Sequence, residues 1–276
     1  MSENVPKITH AVRVKLYPYG GFEMMAASRD IFAEYPEGKP KSTNPNTRRE
    51  ELAGIADAAA KPCAAVDRAE DLPHSTDKAE SLARSMRRAR AKVRDIALSN
   101  KFRWFVTLTL DRAKIDRYDM TAILKALHRW LDNRVRRDGL KYILVPERHK
   151  DGAIHFHGFF SDSVKAAPSG HHDTAGNMIY NLPAWGLGFS AAIEIYGDYP
   201  RAVSYVCKYI GKQGDKPAGR WYYSGGALEQ PRVLYPDSIT MESFNRAHPD
   251  CYMFQVPESG LYISMIRGDN FEEENL

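Results

Sequence analysis

Ile143–Phe160 reads I-L-V-P-E-R-H-K-D-G-A-I-H-F-H-G-F-F. An apolar run from Lys141 to Pro146 and a second from Ala153 to Phe160 flank the polar turn H-K-D-G, a pattern that predicts two hairpin-joined antiparallel strands. In an extended strand His155 and His157, two apart, share a face, and Phe156 points to the other face, toward a core. Glu147 lies on the preceding strand. Pairing it opposite His155 or His157 puts a carboxylate about 5 Å from an imidazole. Two imidazoles and one carboxylate, with coordination positions left open, make a divalent-metal site able to take substrate oxygens. The plain alternative is two polar residues on the wet face of a half-exposed sheet.

A second stretch, Tyr205–Lys212, reads Y-V-C-K-Y-I-G-K. Pro200 opens a helix at a permitted first-turn position. At about 100° per residue, Val203, Val206, Cys207 and Ile210 form a buried stripe. Tyr205, Lys208, Tyr209 and Lys212 fall together on the opposite face, as an exposed ridge. Tyrosines at i and i+4 are neighbours there. A phenol with a pKa of roughly 10 is mostly neutral at pH 7 and needs help to attack phosphorus. A metal on the scissile phosphate and a nearby lysine supply that help. The alternative is an amphipathic helix with a solvated Tyr/Lys face.

Working outward, Asp77 to about Leu98 predicts a helix, with Asp77 and Glu80 at capping-box spacing. Leu82, Met86, Ala89, Val93 and Ile96 form its apolar stripe, and Arg84, Arg87, Arg88, Arg90, Lys92 and Arg94 fill the rest. Such a basic helix either follows a phosphate backbone or packs with a solvated face. Phe102–Leu110 predicts a strand. Met120 to Val135 predicts a second helix ending near Gly139, with Trp130 in the core and His128 on the surface. A polar excursion, S-G-H-H-D-T-A-G-N, precedes a fourth strand at Gly188–Tyr196. His149, His171 and His172 are assigned to loops as bystanders. Arg220–Ser224 and a hairpin within Cys251–Arg267 are further strand candidates.

Residues 1–75 are weakly patterned. Val12, Val14 and Leu16 permit one short strand, and Glu34 to Pro73 reads as a linker. The expected organisation is an irregular arm (1–75), a catalytic domain with its leading basic helix (76–225), and a C-terminal β extension with an acidic tail (226–276). The fold class is α+β: a central antiparallel sheet with helices packed on it.

Composition narrows the function. From Arg84 to Lys150 there are 19 Lys and Arg against seven Asp and Glu, a surplus of twelve in a chain whose net charge is +4. A basic middle third with Trp104, Phe105 and Trp130 among the charges suits a polyanion such as nucleic acid. No apolar run reaches the roughly 20 residues a membrane span needs, and no export signal opens the chain; a cytoplasmic protein is expected. Cys63, Cys207 and Cys251 are too few and scattered for a disulfide framework or a C-x-x-C zinc site. A G-x-x-x-x-G-K-[ST] loop is absent, so no nucleotide cofactor is expected.

These residues resemble the HUH endonucleases, and especially the rolling-circle replication initiators (Rep proteins) of small phages and plasmids. F-V-T-L-T-L resembles their first motif, H-F-H-G-F-F their second, with Glu147 matching the upstream acidic ligand. Y-V-C-K-Y-I-G-K is similar to their third, in the two-tyrosine form. The resemblance covers roughly Phe102 to Lys212 and implies a ferredoxin-like palm. It also implies Mg2+ or Mn2+ held by Glu147, His155 and His157, and nicking of single-stranded origin DNA by Tyr205 and Tyr209 with help from Lys208 and Lys212. Thr107, Thr109, Arg84, Arg87, Arg88 and Arg94 are the expected DNA contacts, and a host helicase and polymerase the expected partners. A transposase, a mobilisation nickase, a non-catalytic DNA-binding regulator and a two-His-one-carboxylate iron oxygenase remain the rival readings.

Overall fold

The computed structural model describes residues 8–36, 75–212, 214–256, 259–269 and 271. In chain order these hold strands β1 (Ile8–His10), β2 (Val12–Tyr17), β3 (Gly21–Ala27) and β4 (Phe32–Glu34), helix α1 (Ser75–Ser99), β5 (Trp104–Leu110) and α2 (Met120–Asp138). They continue with β6 (Tyr142–Arg148), β7 (Ile154–Phe160), β8 (Ala167–His172), β9 (Met178–Asn181), β10 (Gly188–Glu194), α3 (Tyr199–Tyr209) and β11 (Tyr223–Gly225). β12 (Arg232–Leu234), α4 (Met241–Ala247), β13 (Tyr252–Val256) and β14 (Leu261–Gly268) complete the order. The fold is mixed α+β with large antiparallel sheets, as expected.

The chain divides into two units, Met1–Pro45 with Gln230–Leu276, and Asn46–Glu229. This differs from the expected arm, domain and extension. Residues 8–34 carry four strands rather than one. β2 and β3 join β12, β14 and β13 in a five-stranded sheet of order β12-β2-β3-β14-β13, while β1 pairs with β4. The reason is register. Val12 and Val14 pair with Ala26 and Met24, and β3 in turn pairs with β14, so the two ends of the chain bury one apolar face together. Most of the expected linker and the acidic tail lie outside the described residues.

The larger unit is built on a seven-stranded sheet of order β11-β6-β7-β5-β10-β9-β8. Strict alternation in W-F-V-T-L-T-L sends Trp104, Val106, Leu108 and Leu110 to one face of β5, where they meet Ile123, Leu124, Leu127 and Leu131 of α2. Burying each of these side chains stabilises the fold by roughly 1.5–3 kcal/mol. Asp119 caps α2 by accepting from Ala122 N–H at 2.9 Å, and Gly139 ends it at φ 67°. Gly158 has no side chain for a reason: a Cβ there would collide with the Ile143 carbonyl, so only glycine lets β6 and β7 close up beside the histidines.

Two local expectations change. The excursion at S-G-H-H-D-T-A-G-N forms the hairpin of β8 and β9, turning at Asp173, whose side chain accepts from the Asn177 and Ala175 N–H groups. His128 is half-buried, edge-on to Tyr223 at 5.4 Å, rather than on the surface. Trp130 packs between Phe160 and Trp185 and donates to the Ala184 carbonyl, as a core side chain should.

α1 begins at Ser75, two residues before the expected capping box. Its stripe is buried at Ala89, Val93 and Ile96. Just past its end, Asn100 donates to the Ile96 and Glu229 carbonyls and accepts from Glu229 N–H, which closes the helix terminus on the chain's exit from this unit.

Candidate active site

The site starts from the pairing of three strands. Thr109 of β5 and Glu147 of β6 both stand opposite His155 of β7; one step along, Thr107 and Val145 stand opposite His157. Partners in antiparallel register share a face, so both threonines, both histidines and the carboxylate look out on the side away from the Leu108 core. Glu147 is opposite His155 by register, yet its Oε2 lies 2.9 Å from Nε2 of His157, the diagonal neighbour. The other ring nitrogens meet hydroxyls: Thr107 Oγ1 is 3.1 Å from His157 Nδ1, and Thr109 Oγ1 is 3.2 Å from His155 Nδ1.

Burial sets the electrostatics. Desolvation, offset only in part by Glu147, lowers the His157 pKa to about 4. His155 is lowered as well, by burial first and then by His149, whose ring stacks on it at 4.9 Å. Both imidazoles are therefore neutral at pH 7, the form in which they bind a cation.

The late helix closes over this face. Asp198 caps α3 by accepting from Arg201 N–H at 2.9 Å, Pro200 sits in the first turn, and Val203 and Val206 are buried. Tyr209 stacks on His157 with centroids 4.4 Å apart and planes 13° off parallel. Tyr205 meets Phe105 of β5 edge-on at 5.8 Å, and Tyr209 Oη donates to Tyr205 Oη at 2.9 Å. Burial and this hydrogen bond push the Tyr209 pKa up. Tyr205 remains half exposed and Lys208 exposed. Cys207 is no nucleophile here, since burial raises its thiol to about 11.

The expected ridge of four is not one helix face. α3 ends at Tyr209, and Tyr209 lies against the sheet rather than in solvent. Lys212 arrives by a turn at Gly211, whose φ of 75° favours glycine and whose missing Cβ leaves space for Met86 of α1. That turn brings Lys212 Nζ to 2.6 Å from Glu147 Oε1, which raises the lysine pKa through the hydrogen bond and the charge of Glu147. Arg90 of α1 donates twice to the Ile210 carbonyl, at 2.8 and 3.1 Å, and holds the end of α3. This positioning residue is hidden in the sequence among five similar basic neighbours, and only the proximity of α1 and α3 singles it out.

The other predicted residues are placed as follows. Arg84, Arg87 and Arg88 are exposed on α1, with Arg84 paired to Glu80, and Arg94 is half-buried. Thr107 and Thr109 back the imidazoles rather than standing clear of them. His171 and His172 are exposed on β8, at the far edge of the sheet. Among the described residues no three His, Cys, Asp or Glu side chains are already gathered in a cation-holding group. Glu147 instead bridges His157 and Lys212. The donor set nevertheless fits a divalent ion: one carboxylate beside two neutral imidazoles, each with Nδ1 against a hydroxyl and Nε2 as the remaining donor.

A sequence profile of the replication-associated protein ORF2 family matches residues 103–214. The match takes in β5, β6, β7 and α3, and with them every candidate metal ligand and tyrosine. Over these residues the chain is similar to replication-associated proteins, which points to DNA replication as its process. No curated protein and no solved structure matches the chain. Among the described residues no helix is long and apolar enough to cross a membrane.

Proposed function

We propose that the protein is a metal-dependent nickase and strand transferase that starts rolling-circle replication at a single-stranded origin. The observation that supports this most directly is the stacking of Tyr209 on His157, with Tyr205 Oη at 2.9 Å from Tyr209 Oη. Two phenols and a carboxylate–imidazole set thereby share one face of the sheet, as attack on a held phosphodiester requires. Similarity to replication-associated proteins over 103–214 sets the process.

Glu147, His155 and His157 would hold Mg2+ or Mn2+, which when bound polarises the scissile phosphate and steadies the leaving oxygen. Tyr205 is the first nucleophile, because Tyr209 donates to its oxygen and so favours the phenolate. Its oxygen forms a bond to phosphorus and the bond from phosphorus to the 3′-oxygen breaks. The phenolic proton passes to solvent, and the departing oxygen takes up a proton as a 3′-hydroxyl able to prime a polymerase. The 5′-phosphotyrosine bond conserves the ester energy for rejoining, and Tyr209 is placed to accept the strand in the next round. Lys212, 5.5 Å above the Tyr209 ring, and Lys208 supply positive charge for the phosphate oxygens. Unwinding falls to a host helicase.

The test incubates the full chain with Mn2+ and a pool of single-stranded oligonucleotides and recovers covalent adducts. Wild type should form adducts whose peptide, read by mass spectrometry, carries the DNA on Tyr205, and Tyr205→Phe with Tyr209→Phe should form none. Adducts from the double variant would remove the nucleophile assignment.

A further inference from the structure

Phe189 is 68% exposed, the most exposed large apolar side chain among the described residues. It lies on β10 opposite Thr109, in the same cross-strand row as His155 and Glu147. Antiparallel partners share a face, so its ring stands on the site side of the sheet, two strands or about 10 Å from His155. The core does not use it, because its neighbours Gly188 and Ser190 face the other way with Leu110 and Leu108. Towards the middle of β10 the same face carries Ala191 and Ile193, opposite Thr107 and Phe105. Tyr205 covers Phe105. A strip Phe189–Ala191–Ile193 therefore runs beside the tyrosines. The exposed cations Arg112 and Lys114 follow β5 at the Phe189 end.

We infer that Phe189 is a base-stacking subsite: it takes one unpaired nucleobase of the single strand whose backbone runs past Tyr205 and Tyr209. This rests on the proposed function and adds where the strand lies and what reads it. An exposed ring offers its face to any base, whereas a base paired in duplex has no free face to give. Stacking of this kind contributes substantially to single-strand affinity and tolerates sequence changes. The nearby cations add a salt-dependent share that is independent of the base.

The test measures binding of fluorescent oligo(dT) of 20 nucleotides by the full chain in EDTA, where no cleavage occurs. Phe189→Ala should weaken binding about tenfold, Phe189→Trp should retain or tighten it, and affinity for a blunt duplex should be unchanged in both. Tyr252→Ala removes a ring of similar exposure (64%) from the other sheet and should leave oligo(dT) binding intact. Unchanged oligo(dT) binding by Phe189→Ala, or an equal loss from Tyr252→Ala, would overturn the inference. Covalent adducts are scored separately. A Phe189→Ala defect in oligo(dT) binding beside a wild type that forms no adduct would sink the nickase reading and leave the stacking subsite standing.

Discussion

His157 in the larger unit and His10 in the smaller one are both largely buried, and each has a ring nitrogen 2.9 Å from a carboxylate oxygen. Their proton affinities nevertheless move in opposite directions. At His10 burial works against the charge, but hydrogen bonds to Asp237 and Glu34, one on each ring nitrogen, outweigh it and raise the pKa. At His157 burial wins and the pKa falls to about 4. His157 has one carboxylate rather than two, and that carboxylate is shared with Lys212, while its second nitrogen faces a neutral hydroxyl. A histidine held as a cation is a structural clasp. One held neutral beside an acid is ready to bind a metal.

The comparison breaks most severely if Glu147 is replaced. Glu147→Gln keeps the shape and removes the charge that a cation would meet. Mn2+ affinity, measured by calorimetry without DNA, should fall by at least about 100-fold, because loss of a ligand exceeds the 10–100-fold typical of an outer-shell partner. Glu34→Gln in the His10 clasp should leave Mn2+ binding unchanged. Equal affinities for wild type and Glu147→Gln would remove the carboxylate from the site.

A gentler change separates two roles for Thr107. Its motif in the sequence suggests a DNA contact; the structure sets its hydroxyl against His157 Nδ1 at 3.1 Å. Thr107→Val conserves volume and deletes that partner, so metal affinity should drop about 10-fold or more in the absence of DNA. A variant with wild-type Mn2+ affinity and weakened binding of single-stranded DNA would return Thr107 to the DNA-contact role.

These sites differ in how far sequence alone reveals them. His155, His157 and Glu147 are legible because strand alternation and a short turn fix which face each takes. The Tyr205–Tyr209 pair is legible because helical spacing is local. The same spacing puts Lys212 on that helical face, but the helix stops at Tyr209, and the Gly211 turn brings the lysine to Glu147 instead. The His10 clasp leaves no local trace, since Asp237 is 227 residues away. β3 is equally quiet: G-F-E-M-M-A-A has no alternation of apolar and polar residues, and its place comes from pairing with β14 near the other end of the chain. Local periodicity finds elements and faces, whereas clasps between distant segments depend on a register that no single window contains.

Stability against pH tests the two histidines directly, in a chelating buffer that keeps metal out. For His157 the folded pKa lies below the unfolded value near 6.5. Between pH 6.5 and about 4 the unfolded chain therefore takes up a proton that the folded chain refuses, and stability falls as pH drops through that window, by at most roughly 3 kcal/mol at about 1.4 kcal/mol per pKa unit. His157→Gln should remove that acid-side loss. For His10 the sign reverses. Its folded pKa lies above 6.5, so its contribution is complete below that pH and fades as pH rises through the folded value. His10→Gln should thus be less stable than wild type at pH 5.5, with the gap in melting temperature closing toward alkaline pH. A gap that widens with rising pH would show that His10 is folded as the neutral imidazole, and the contrast with His157 would then rest on burial alone.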